Sequence, residues 1–171
     1  MNKIPSVDLR DFLSDDPARK QKFVNEIGKA YEEIGFVALK GHFLDDKLVD
    51  DLYGEVKNFF ELPTETKQKY EIPGIGGQRG YVGFGKETAK GFKKGDLKEF
   101  WHFGQYVSDD SKYKSEYPDN VIVEELPQFN EVGKETYQML EKTGKYVLRA
   151  LALYLGLDEF YFDDKIAEGN S

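Results

Sequence analysis

The chain has 171 residues, of which 39% are hydrophobic and 15% aromatic, enough apolar material for one globular domain and too little length to argue for two. Its 32 acidic and 24 basic residues leave a formal charge of −8 with no basic stripe to hold a phosphate backbone, which argues against nucleic acid as a partner. The absence of cysteine removes disulfides, thiolate metal sites and a cysteine nucleophile together. The opening Met-Asn-Lys-Ile-Pro-Ser lacks the apolar run of a signal peptide, and no stretch approaches the ~20 apolar residues of a membrane span. The default expectation is a soluble, cytoplasmic protein with no membrane partner.

Ile4 to Leu9 reads as a short strand. Asp16-Pro17 then starts a helix, with a carboxylate N-cap before a proline whose missing N–H costs nothing at the first helical position. Phe23, Ile27, Tyr31 and Ile34 recur at helical spacing until Gly35. Phe36 to Lys40 reads as a buried strand stopped by Gly41. A second helix from about Asp45 carries Leu48, Leu52, Val56 and Phe59 on one face, Pro63 breaks it, and a short polar helical turn through Lys69 follows. Lys67 and Lys69, beside Glu65 and Glu71, read as solvated surface.

Residues 73–95 are glycine-rich loop, with strand pieces at Gly80–Phe84 and Glu99–Phe103. Leu126-Pro127 opens the longest helix, where Phe129, Val132, Tyr137, Leu140, Val147, Leu151 and Leu155 recur at three- and four-residue steps before Gly156. Four strand candidates are too few for a closed sandwich or jelly roll of roughly eight strands. The helices carry apolar faces that need a sheet to cover, and the expectation is an incomplete domain.

The chemistry concentrates between Arg79 and Gly104. Gly80-x-x-x-x-Gly85-Lys86 follows a phosphate-binding loop only until Glu87, which stands where a Mg²⁺-binding hydroxyl is needed, and no parallel strand precedes it. Arg79, beside Tyr81 and near Trp101, could hold an anionic substrate by charge-assisted bonds, or could be a structural salt bridge to one of the many carboxylates. His102 lies on a strand whose alternation puts Glu99, Trp101 and Phe103 on one face and Phe100 and His102 on the other. It is a packing residue or lines a pocket. His42 reads as a turn residue, and neither histidine has the acid two positions on that a two-histidine, one-carboxylate iron site would use. Asp96, Lys98 and Glu99 read as a solvated junction into the strand.

Several of these pieces, in this order, resemble the N-terminal half of the isopenicillin N synthase-like iron(II)/2-oxoglutarate-dependent oxygenases. Ile4-Pro5-Ser6-Val7-Asp8-Leu9 is similar to that family's opening strand, and Gly35-Phe36-Val37-Ala38-Leu39 with Gly41-His42 to its next strand and turn. Phe59-Phe60-Glu61-Leu62-Pro63 with Lys67, then Arg79-Gly80-Tyr81, Asp96-Leu97-Lys98-Glu99, Trp101 and Gly104, continue the likeness, which ends in Leu151-Ala152-Leu153-Tyr154-Leu155-Gly156-Leu157. About residues 4–107 resemble the N-terminal region and 126–155 the long helix that packs on the jelly-roll core.

The resemblance implies an α+β chain, residues 1–171 forming a single incomplete domain that is the helical and strand portion of a double-stranded β-helix oxygenase. It implies Fe(II) and 2-oxoglutarate as cofactors, O2 and a small molecule as substrates, and a C-terminal half of the same protein that carries the iron ligands. None of those ligands maps onto this chain. Arg79, Tyr81, Trp101 and His102 are the substrate-binding candidates, with no catalytic or metal residue assigned. Arg79-Gly80-Tyr81 lacks the extra residue found there in penicillin-forming enzymes, which argues against a tripeptide substrate. The alternative is a non-catalytic small-acid-binding or protein-interaction module without the metal site.

Overall fold

The computed structural model describes residues 3–88, 90–91 and 94–167. In chain order the elements are β1 (Ser6–Asp8), α1 (Leu9–Phe12), α2 (Pro17–Glu33), β2 (Ala38–Lys40), α3 (Asp46–Phe60), α4 (Thr64–Gln68), β3 (Gly80–Val82), β4 (Phe100–His102), α5 (Pro127–Tyr154) and α6 (Asp163–Ile166). They divide into two compact units, one formed by Met1–Asp45 with Met139–Ala167 and the other built on Asp46–Gln138. Among the described residues no helix is long and apolar enough to cross a membrane.

The first unit is a βαβ arrangement. Parallel pairing of β1 with β2, in the register Ser6↔Ala38, Val7↔Leu39 and Asp8↔Lys40, requires a crossover, and α1 and α2 supply it. The Asp16 carboxylate caps α2 by accepting from the Ala18 amide at 2.8 Å, with Pro17 in the first turn. Gly35, at φ 80°, closes the same helix. Phe12, Phe23, Val24 and Ile27 meet Val7, Leu9 and Ala150 in the core, and Tyr146, Val147 and Leu153 of α5 pack on it.

Two expectations for this unit need correction. The first strand ends at Asp8 rather than Leu9, because the Asp8 carboxylate caps α1 by accepting from the Arg10 amide at 3.0 Å. The second strand is only Ala38–Lys40 and is not buried: Leu39 is half-covered, Ala38 and Lys40 face solvent, and Phe36 is 68% exposed.

The segment after α5 turns at Gly156 and is tied back to the helix by charge. Arg149 grips Asp163 with Nε at 3.1 Å and Nη2 at 2.6 Å, and Lys145 joins at 3.2 Å. These contacts, Arg149 first, hold the Asp163 carboxyl down at about 2.

The second unit holds α3, α4, the β3–β4 ribbon and the start of α5. Its core is aromatic: Phe59 stacks on Phe129 with centroids 5.0 Å apart, and the Trp101 ring meets both at 4.8 and 5.0 Å. Tyr70, Tyr81 and Val123 complete the buried set. Outside the two cores, Tyr53, Leu97, Leu140 and Leu155 remain exposed, so the α5 stripe is only partly covered.

Removing the α2 cap tests this reading of the first unit. Asp16→Ala should lower stability by about 1 kcal/mol, read from the urea midpoint at unchanged slope. A midpoint that does not move would show that the cap contributes nothing.

Candidate functional site

The site is built on the antiparallel β3–β4 ribbon, whose register pairs Gly80 with His102, Tyr81 with Trp101 and Val82 with Phe100. Alternation sends Tyr81, Trp101 and Phe103 into the aromatic core of the second unit. Arg79, two residues before Tyr81, is buried with it, at 4% exposure. His102 projects from the opposite face and is exposed. Its Nδ1 lies 2.5 Å from the Gly77 carbonyl, an acceptor only, so Nδ1 carries the proton and donates. The ribbon therefore brings Arg79, Tyr81 and Trp101 together and sets His102 apart.

Under the inward face lies a charged knot. Lys67, 5% exposed, donates to both Glu99 oxygens at 3.0 and 2.8 Å and to the Phe60 carbonyl at 3.0 Å. The Tyr81 hydroxyl donates to Glu99 Oε2 at 2.5 Å. Burial would push the Glu99 carboxyl up, but the hydrogen bonds from Lys67 and Tyr81 and the Lys67 charge outweigh it and hold it below its ordinary value. Burial, reinforced by the Glu99 carboxylate, pushes the Tyr81 phenol up, so it stays protonated and serves as a donor.

The knot corrects two sequence expectations. Lys67 is not solvated surface, and Glu99 is not part of a solvated junction, although Asp96 and Lys98 are: Lys98 pairs with Glu87 at 2.5 Å at an exposed rim. A signal for Glu99 was present in the strand alternation, which places it on the face of Trp101 and Phe103. Lys67 gave no comparable signal, because its burial depends on a partner 32 positions away.

Arg79 makes no ion pair among the described residues. Nη1 donates to the Gln78 carbonyl at 2.7 Å. Nε and Nη2 are enclosed without a hydrogen-bond partner, and so is the Trp101 indole Nε1. The guanidinium lies flat on Gly104, where a Cβ would come within 1.8 Å of Cζ. Gly104 cannot yield, because the Asn120 amide clamps it, accepting from its N–H at 2.7 Å and donating to its carbonyl at 2.8 Å.

On the outer side, a cleft of about 270 Å³ opens between the 71–77 turn and the ribbon, lined by Glu71, Ile72, Gly77, Val82, Lys86 and Phe100 among others. Lys86 pairs there with Glu71 at 3.1 Å, so the lysine of the phosphate-loop-like motif is neutralised by an acid. Among the described residues no group of three or more histidines, cysteines or acids could hold a metal ion. The described residues therefore offer iron no such ligand cluster.

Comparison with known proteins identifies the family. Residues 4–125 match the family described as non-haem dioxygenase in morphine synthesis, N-terminal. The 2-oxoglutarate-dependent dioxygenase frbA of Dothideomycetidae sp. is 32% identical over 167 residues, covering 90% of this chain and 48% of its own length. A crystal structure of a 2OG-Fe(II) oxygenase family protein from Caulobacter crescentus superposes with a TM-score of 0.86 at 36% identity, over 99% of this chain and 54% of that one. A full-length Neurospora crassa protein crystallised in complex with alpha-KG shares the fold, with a TM-score of 0.75 at 24% identity, over 95% of this chain and 48% of that one. The chain thus spans about half the length of the relatives it matches.

The knot predicts a specific acid response. Glu99's depressed value contributes stability that is fully present above the ordinary glutamate value of 4.5 and lost as pH falls through the folded value. Lys67→Met, leaving a buried carboxylate unpaired, should cost about 3 kcal/mol, and adding Glu99→Gln should return part of it. In Glu99→Gln alone, the loss of stability between pH 5 and more acid conditions should be shallower. Equal acid slopes for wild type and variant would show that the pair is energetically idle.

Proposed function

We propose a function from one premise: this chain belongs to the non-haem dioxygenase N-terminal family. The protein is an iron(II)- and 2-oxoglutarate-dependent oxygenase that oxidises a small molecule with O2. The observation that carries this reading is the family match over residues 4–125, joined to the 32% identical relative named as a 2-oxoglutarate-dependent dioxygenase. Fe(II) and 2-oxoglutarate come with that membership. Iron, where bound, would activate O2 and couple decarboxylation of 2-oxoglutarate to oxidation of the substrate. The described residues offer it no ligand set, so its holding is assigned to a C-terminal half of the same protein.

This chain supplies substrate-side structure. The ribbon carries the candidates: Arg79 as cation, Trp101 as an aromatic wall, and Tyr81, whose hydroxyl is committed to Glu99 and which therefore contributes its ring. His102, beside the outer cleft, is separate from those three and could serve only a ligand approaching from that side. The chain is one incomplete domain, with 126–155 as the helix that packs on the missing jelly-roll core. The exposed Leu140 on that helix and Leu155 just after its end support this. The protein is taken to be soluble and cytoplasmic.

The test is turnover by the protein expressed from its natural reading frame. Its intact mass should exceed 19.7 kDa substantially. Loaded anaerobically with Fe(II), it should release succinate and CO2 from 2-oxoglutarate on admission of O2, and a chelator should abolish the release. A product of 19.7 kDa that binds small acids but neither takes up Fe(II) nor decarboxylates 2-oxoglutarate would replace the enzyme by a binding module.

A further inference from the structure

The sequence has four arginines, Arg10, Arg19, Arg79 and Arg149. Three use the same edge of the guanidinium, Nε with Nη2, in the same way. Arg10 sets Nε and Nη2 on the two Asp8 oxygens at 2.8 and 2.5 Å. Arg149 does so on Asp163 at 3.1 and 2.6 Å, and Arg19 directs both nitrogens to Asp11 Oδ1 at 2.9 and 2.5 Å. Arg79 alone turns this edge inward, where it has no hydrogen-bond partner among the described residues. It is also the most buried of the four, so water does not substitute for the missing acceptor.

A guanidinium stays charged at any pH the fold survives, and an enclosed charge without an acceptor is costly unless an occupant removes the cost. The flat seat on Gly104 and the Gln78 carbonyl on Nη1 fix the plane of the group and leave one side-on fork, two parallel N–H donors, as its unused function. Side-on forks match the two oxygens of a planar carboxylate.

We infer that the Nε/Nη2 edge of Arg79 is a carboxylate-binding fork. The carboxylate belongs either to a small-molecule ligand, in which case the inference rests on the oxygenase reading above and gives the substrate class, or to a side chain from the remainder of the protein. Because the chain's own atoms close over the edge, a small-molecule carboxylate must displace that cover to enter, and slow exchange between free and bound forms is expected.

With four arginines, the Nε–Hε region of a ¹⁵N–¹H spectrum of the protein from its natural reading frame should hold four assignable signals. Through-bond correlation assigns Arg79 without any variant. Propionate should move or split the Arg79 signal downfield and saturate, whereas propionamide and inorganic phosphate should not. Arg79→Lys, which keeps the charge and loses the fork, should weaken propionate binding by about tenfold or more. An Arg79 signal already downfield before any addition, and unmoved by propionate, identifies the protein's own carboxylate as occupant. A signal that stays upfield throughout, or responds equally to propionamide or better to phosphate, overturns the inference. The readout needs neither iron nor 2-oxoglutarate. Turnover without the shift therefore sinks the fork alone, and the shift without turnover sinks the oxygenase alone.

Discussion

An ammonium group enclosed among aromatic rings can exist only if something neutralises it, and the second unit is organised around that requirement. Lys67 sits over the rings of Phe60 and Tyr81 and is answered by Glu99 through both of its oxygens. Glu99 is the residue before β4, Tyr81 is the middle of β3, and the Phe60 carbonyl is the end of α3. One ion pair thus fixes the strand start, the facing strand and the preceding helix at once. A buried pair of this kind need not be more stable than an apolar replacement, but breaking one half of it is expensive, and that asymmetry gives the arrangement a single solution.

The position of Arg79 follows from the same knot. With Tyr81 and Trp101 locked in register, Arg79 has its side chain committed to the interior and its guanidinium to the surface of Gly104. The glycine is required there by the close approach of a charged plane. Among the described residues two buried cations therefore lie in the aromatic unit, Lys67 answered by Glu99 and Arg79 without an ion-pair partner. Lys67 holds the ribbon in place through Glu99, whereas the Nε and Nη2 atoms of Arg79 are enclosed without a partner among the described residues.

Much of the framework was legible because it is set by local chemistry. Asp16-Pro17 starts a helix through its own carboxylate and ring, and Gly35 and Gly156 stop helices by adopting positive φ. The ribbon was legible from alternation, and the family from the order of short motifs. Strand lengths were not, since they depend on the partner edge and on Asp8 serving as a cap instead of continuing β1. The site was half legible: Arg79, Tyr81 and Trp101 do share a face, whereas His102 follows the alternation away from them. Lys67 could not be found from its surroundings in sequence, which are polar. The lack of a partner for the Arg79 Nε and Nη2 atoms among the described residues is visible only in three dimensions.

The two units differ in how their chains are assembled. The aromatic unit is one continuous stretch, Asp46–Gln138, while the βαβ unit joins Met1–Asp45 to Met139–Ala167 across it. Contacts such as Phe12 with Tyr146, or Lys20 with Glu159, close loops longer than one hundred residues. The entropy of closing such loops grows slowly, by about 0.6 kcal/mol per doubling of length, but it must be met before those contacts give anything back. The order of folding is thereby biased. The continuous stretch can gather locally while the N-terminal strand and helices wait for the end of α5, so during synthesis the first forty-five residues emerge well before their core partners exist.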